Sequence, residues 1–178
     1  MKHKFSLSRE GVIPVHFFRL RPPNFPTIRL AQLAGVYSRR SNLFSSIIEA
    51  QSLEQLYAIF EGSTSSFWNT HYTFEKSSKS SSKTLTKAFI NLLIINTIVP
   101  IKFAFHKFNR YSNPDNVLAI IRNIPMEHNS IVDKFHSLYA FGKTALDSQA
   151  LIQLKHMYCS KNKCLQCAIG SAILNRNS

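Results

Sequence analysis

Apolar positions along this chain recur at helical spacing and scarcely ever in strict alternation, which predicts helices joined by polar turns and no sheet. A proline-rich opening (Pro14, Pro22, Pro23, Pro26) favours extended backbone. Ile28, Leu30, Leu33, Ala34 and Tyr37 then mark the apolar face of a first helix, with Thr27 as its N-cap. Asn42 to Ala50 and Ser52 to Phe60 read as two short amphipathic helices, the second opened by a capping box from Ser52 to Gln55. Trp68, His71 and Tyr72 also fall at helical spacing. The most hydrophobic stretch, Thr84 to Phe108, contains Asn91, Asn96 and Pro100 and meets a charge at Lys102. That falls short of a clean membrane span and predicts a buried central helix kinked at the proline. Asn113-Pro114-Asp115 marks a turn, Val117 to Ile124 a helix, and Ile131 to Phe141 another, closed by Gly142. Ala145 to Tyr158 and a short segment from Ala168 to Leu174 complete the pattern. The expected fold is all-α: an irregular bundle of about eight helices around the hydrophobic one. Residues 1–24 are expected to be extended and 25–178 to form one helical domain, with no internal repeat.

Charge changes this picture. The 178 residues carry 22 Lys and Arg against nine acidic side chains, a net +13 with a pI near 10.0. Such a field attracts polyanions, so nucleic acid becomes an expected partner, although a solvated basic surface has the same composition. Arg19, Arg21 and Arg29 cluster around the start of the first helix, where backbone N–H groups already favour an anion. Arginines so placed serve either a phosphate or their own protein's acceptors. Trp68 and His71 suit a base-stacking platform or a buried aromatic cluster. The segment KSSKSSSK (76–83) has no apolar residue and reads as a flexible, solvated loop. Its Lys79 and Lys83 also suit phosphate contacts that carry no sequence information. It lacks the glycines of a nucleotide-phosphate loop. Histidines at 16, 71, 106, 128 and 136 have no nucleophile or carboxylate partner in any motif, so no catalytic residue is assigned.

All three cysteines lie between His156 and Cys167, in HMYCSKNKCLQC. His156 and Cys159 stand three apart at the end of one helix, and Cys164 and Cys167 three apart at the start of the next. Four soft ligands so arranged suit a closed tetrahedral zinc site that staples two helix ends. An iron–sulfur cluster is the alternative cofactor, although a cluster ordinarily takes four thiolates. Three reduced buried thiols, or a redox CxxC, are the remaining readings. With an odd number of cysteines and no apolar leader after MKHKFSLSREG, a reducing cytoplasmic compartment and no membrane association are expected.

The segments RPPNFPTIRLAQLA, WNTHY, LLIINTIVP, NSIV, DSQALIQLK and YCSKNKCLQCAIGSAIL occur in this order. Together they resemble the C-terminal half of a bacterial family, domain of unknown function 2851. The resemblance implies a longer protein whose other half has the acidic pattern of metal-dependent nucleases. It therefore implies a link to nucleic-acid processing, with any catalytic carboxylates outside this chain. Two functions are expected from these readings. One is a nucleic-acid-associated helical module with a structural metal. The other is a non-catalytic domain that docks onto the nuclease-like half or another subunit.

Overall fold

The computed structural model describes residues 4, 6, 11, 13, 15–62, 64–109 and 115–175. Val12 and Pro14 of the opening segment, and Asn113 and Pro114 of the expected turn, lie outside the described residues. The fold is all-α. Among the described residues there are eight helices and no strand, only two isolated bridges. They are α1 (Pro26–Arg39), α2 (Leu43–Glu49), α3 (Leu53–Phe60), α4 (Lys87–Phe108), α5 (Asp115–Arg122), α6 (Ser130–Leu138), α7 (Ala145–Met157) and α8 (Ala168–Leu174). The chain divides into two compact units, Met1–Ser41 with Glu61–Leu85 and Asn42–Phe60 with Thr86–Ser178.

In the first unit, α1 begins at Pro26, whose missing N–H is no loss at the first helical position. Phe25 occupies the N-cap without a side-chain cap, and the Thr27 hydroxyl instead donates to the Tyr72 carbonyl at 2.5 Å. The buried stripe of α1 is Ile28, Gln32 and Val36. Leu30, Leu33 and Tyr37, expected on that face, are at least half exposed. Gln32 displaces them because its buried amide donates to the Lys83 carbonyl at 2.8 Å, a tie that no apolar side chain could make. The α1 helix is thus held against residues 66–85 by polar bonds. Gly62 (φ 149°) allows the chain to pass Arg39, whose guanidinium would stand 1.9 Å from an added Cβ.

The second unit is built on α4. This helix is long and apolar enough to cross a membrane by length and composition, which departs from the expectation that it falls short. Within the unit it buries Ile90, Ile94, Ile95 and Ile98, and it meets α3 through residues 87–93 and α2 and α5 through residues 99–108, while Leu92, Ile101 and Phe103 stay partly exposed. In place of a simple proline kink, residues Ile94–Ile98 form a π turn just ahead of Pro100. Proline has no N–H for the carbonyl four residues back, and a wider turn absorbs the break. Lys102 is buried at 1% exposure on the same face. Its ammonium donates to the carbonyls of Ile47 (2.9 Å), Ile48 (2.6 Å) and Ala50 (2.7 Å), closing the C-terminal end of α2. Tyr57 of α3 donates to Asn91 of α4 at 2.6 Å.

Local signals place the remaining ends. The Ser52–Gln55 capping box forms in both directions at 3.3 Å. Asn129 caps α6 through Ile131 and Val132 N–H, and Thr144 with Asp147 forms a second capping box on α7. Helix α6 stops at Leu138, earlier than the expected Phe141, because Tyr139 turns extended (φ −159°). That turn lets Phe141 pack edge-on against Phe135 and Tyr139, with centroids 6.2 and 5.3 Å apart.

Candidate functional site

Aromatic rings and lysines meet on one turn of the first unit. Ser66–Asn69 is a 3-10 turn, and the chain after it folds back so that Ser78 N–H bonds the Thr70 carbonyl (2.7 Å) and Ser81 N–H the Asn69 carbonyl (2.8 Å). The serine–lysine segment is therefore pinned beside the aromatic turn by its own backbone. Phe67 stacks on the His71 ring at 4.0 Å and 9°, and Phe74 lies 6.1 Å from Phe67 at 28°. Trp68 meets Phe67 and Phe74 edge-on at 5.2 Å. The outward rings are Phe74, 73% exposed, and Phe67, 40% exposed, whereas Trp68 is half-buried behind them. His71 is fixed by its Nδ1, 3.0 Å from both the Phe67 carbonyl and the Thr70 hydroxyl.

The basic residues divide between support and surface. Lys83 is 5% exposed; its ammonium donates to the Ser81 carbonyl (3.1 Å) and hydroxyl and the Asn69 carbonyl (3.4 Å), and lies 4.1 Å over the Tyr72 ring. It holds the turn together. Bonding to Ser81 is the main cause that lowers the Tyr72 pKa, with Lys83 adding to it. Arg29 donates to Gln32 Oε1 (2.9 Å) and Asn24 Oδ1 (2.5 Å), so it serves its own protein's acceptors. Lys76, Lys79, Arg19 and Arg21 are exposed; Arg19 sits in the left-handed region (φ 61°) with its guanidinium 5.1 Å from the Phe18 ring. Phe67 and Phe74 were absent from the sequence-based set. The signal for them is weak, since an aromatic residue is ordinarily read as core.

In the second unit, Cys159, Cys164 and Cys167 line one cavity of about 240 Å³, walled by Phe135, Phe141 and Leu154 among others. Cys159 and Cys164 are exposed and all three thiols are unpaired. Cys164–Gln166 is a 3-10 turn and Cys167 is the N-cap residue of α8. Gly170 of α8 lies against the Cys164 backbone, where an added Cβ would stand 2.4 Å from the Cys164 carbonyl oxygen. His156 is exposed near the end of α7 and is not among the cavity's walls. Among the described residues, no three His, Cys, Asp or Glu side chains stand close enough to ligate a single metal ion. The sequence-predicted zinc tetrad is thus gathered as three thiols around a space, with its histidine outside.

These features define an all-α helical protein with an aromatic and lysine turn in one unit and a thiol-lined cavity in the other. Residues 1–130 match the family described as Protein of unknown function (DUF2851), and the chain belongs to that family. The matched span contains the aromatic turn and stops before α7 and the cysteines. No match was found to a curated protein or to a solved structure.

Proposed function

We propose that the chain is a nucleic-acid-associated helical module that holds a single strand without reading its sequence. The observation that supports this most is the exposed Phe67 and Phe74 pair beside Lys76 and Lys79. Bases of a single strand stack on such rings because every base has a π face, while lysines neutralise the phosphates alongside. A duplex keeps its base faces covered, which is why a single strand is the favoured ligand. In this reading Lys76, Lys79, Arg19 and Arg21 meet phosphates. Trp68, His71, Arg29 and Lys83 position the turn. The sequence of this unit supplies only Glu10, Glu61 and Glu75 as acidic residues, so its field is strongly positive. The chain contributes no catalytic group. It presents the strand to the nuclease-like half expected in longer family members, in a reducing cytoplasm where its thiols stay unpaired. A metal cofactor at the cysteine loop, zinc or an iron–sulfur cluster, belongs to the same proposal.

The test is fluorescence anisotropy of a labelled single-stranded oligonucleotide between about 50 and 200 mM salt. Log affinity should fall linearly with log salt, by about 0.7 for each phosphate neutralised. A flat dependence, or no binding at the low-salt end, contradicts the proposal.

A second reading, a protein-docking module, has one observation of its own. Leu30, Leu33 and Tyr37 form an exposed stripe at i, i+3 and i+7 on α1, the spacing that a partner's groove accepts. Co-expression with the rest of a full-length family protein should then give a complex stable to gel filtration, and two separate peaks would refute docking.

A further inference from the structure

One face of α1 belongs neither to the core nor to the exposed apolar stripe. Ala31, Ala34, Gly35 and Ser38 stand at i, i+3, i+4 and i+7, between the buried row of Ile28, Gln32 and Val36 and the outward Leu30, Leu33 and Tyr37. Their small side chains leave a cleft of about 390 Å³ whose remaining walls are Thr64, Ser65 and Trp68, all within the first unit. Two further features distinguish it from a plain helix-packing groove. Thr64 is 8% exposed, and among the described residues its Oγ1 is the one buried side-chain polar atom of this unit without a hydrogen-bond partner. A hydroxyl shut from water and unpaired is a standing cost that a ligand's polar group removes. Trp68, the single tryptophan of the chain, brings a half-buried indole to the same cleft.

We infer, on the strand-binding reading above, that this cleft receives one base of the bound strand, turned out of its stack and laid against the Trp68 ring. The lining carries three hydroxyls and no charged side chain, so it suits a flat, neutral, polar ring while the charged phosphate stays outside. Each hydroxyl both donates and accepts, and so can serve any base edge, as a site that does not read sequence requires. Ser38 already donates to the Gly35 carbonyl at 3.0 Å and offers its lone pairs, whereas Thr64 Oγ1 has both roles open. A partner helix would also fit the small side chains, but its backbone groups are bonded internally and leave Thr64 unpaired. Trp68 meets Phe67 and Phe74 edge-on at 5.2 Å, so a base in the cleft and a base on the outer rings share one aromatic cluster. Trp68 thus binds a base as well as positioning the turn.

The experiment follows Trp68 emission and the anisotropy of a labelled single-stranded oligonucleotide in one titration of the whole chain. Anisotropy reports binding of the strand, and the lone indole reports the cleft. Both should saturate at the same concentration, with Trp68 quenched by the stacked base. Ala34→Phe, at an exposed position, fills the cleft and should abolish the quenching while the lysines and outer rings still bind the strand. Thr64→Val keeps the shape and removes the orphan hydroxyl, so it should melt above the parent yet bind the strand roughly 2- to 13-fold more weakly. Strand binding without quenching, quenching that persists in Ala34→Phe, or parental affinity in Thr64→Val overturns the inference and leaves the strand-binding reading standing. If the strand does not bind, that reading fails by itself, and adenosine decides the cleft. Quenching by adenosine that Ala34→Phe abolishes upholds a base site for free nucleosides, and no quenching overturns it.

Discussion

A lysine ammonium has three protons to donate, and Lys102 places them on the carbonyls of Ile47, Ile48 and Ala50. The last carbonyls of a helix have no intrahelical partner, and the dipole there favours a cation. Burial lowers the pKa of this ammonium from its ordinary value, and the three acceptors offset the cost of holding its charge away from water. Replacing it with methionine keeps the stem's packing and orphans the acceptors, at about 1–3 kcal/mol for each group left unsatisfied. Lys102→Met should therefore lower Tm by several degrees in a thermal melt, with the helical signal of the folded state unchanged. A Tm equal to the parent's would show that those carbonyls find other donors. In the sequence this lysine reads only as the end of an apolar run. Its destination, the end of a helix some fifty positions earlier, is a tertiary fact that no local pattern carries.

At the scale of elements, ends were more legible than faces. The Ser52–Gln55 box and the 145–158 helix form close to where they were read, because a cap is a contact over three residues. Helix α1 was legible as a helix but not in its buried face, since the Gln32 tie to Lys83 spans 51 positions. The Asp147 carboxylate of the α7 box accepts from both Thr144 Oγ1 and Thr144 N–H, and these bonds hold its pKa below the ordinary 3.8. A carboxylate whose folded pKa is depressed contributes stability that is present above the unfolded value and lost as pH falls through the folded one. Asp147→Asn should thus melt below the parent at neutral pH, with the gap closing as the pH falls below 3.8. A gap that persists unchanged into acid would mean that the charge contributes nothing. Helix α8 rests on Gly170 in the same local way. A methyl group there meets the Cys164 backbone, and Gly170→Ala should destabilise the loop by about 1–3 kcal/mol. Faster reaction of Cys164 with a thiol reagent would report it, and an unaltered rate would show that the contact relaxes freely.

For the molecule as a whole, the surplus of basic residues was legible and its division of labour was not. Lys83 and Arg29 look like surface charges in the sequence and act as internal ties. Phe67 and Phe74 look like core and face outward. The cysteine cluster was visible from spacing alone, but only the fold shows three thiols around a space instead of four ligands around a point. The central claim is that bases stack on the two phenyl rings. The most direct measurement compares Phe74→Ala with the parent for single-stranded and duplex oligonucleotides at one fixed salt concentration. Loss of one stacked base is worth about 1–3 kcal/mol, so single-strand affinity should fall roughly 5- to 150-fold while duplex affinity, set by the unchanged charges, stays level. If both affinities are unaffected, or fall together, the rings are not a platform for bases and the account of this face is wrong.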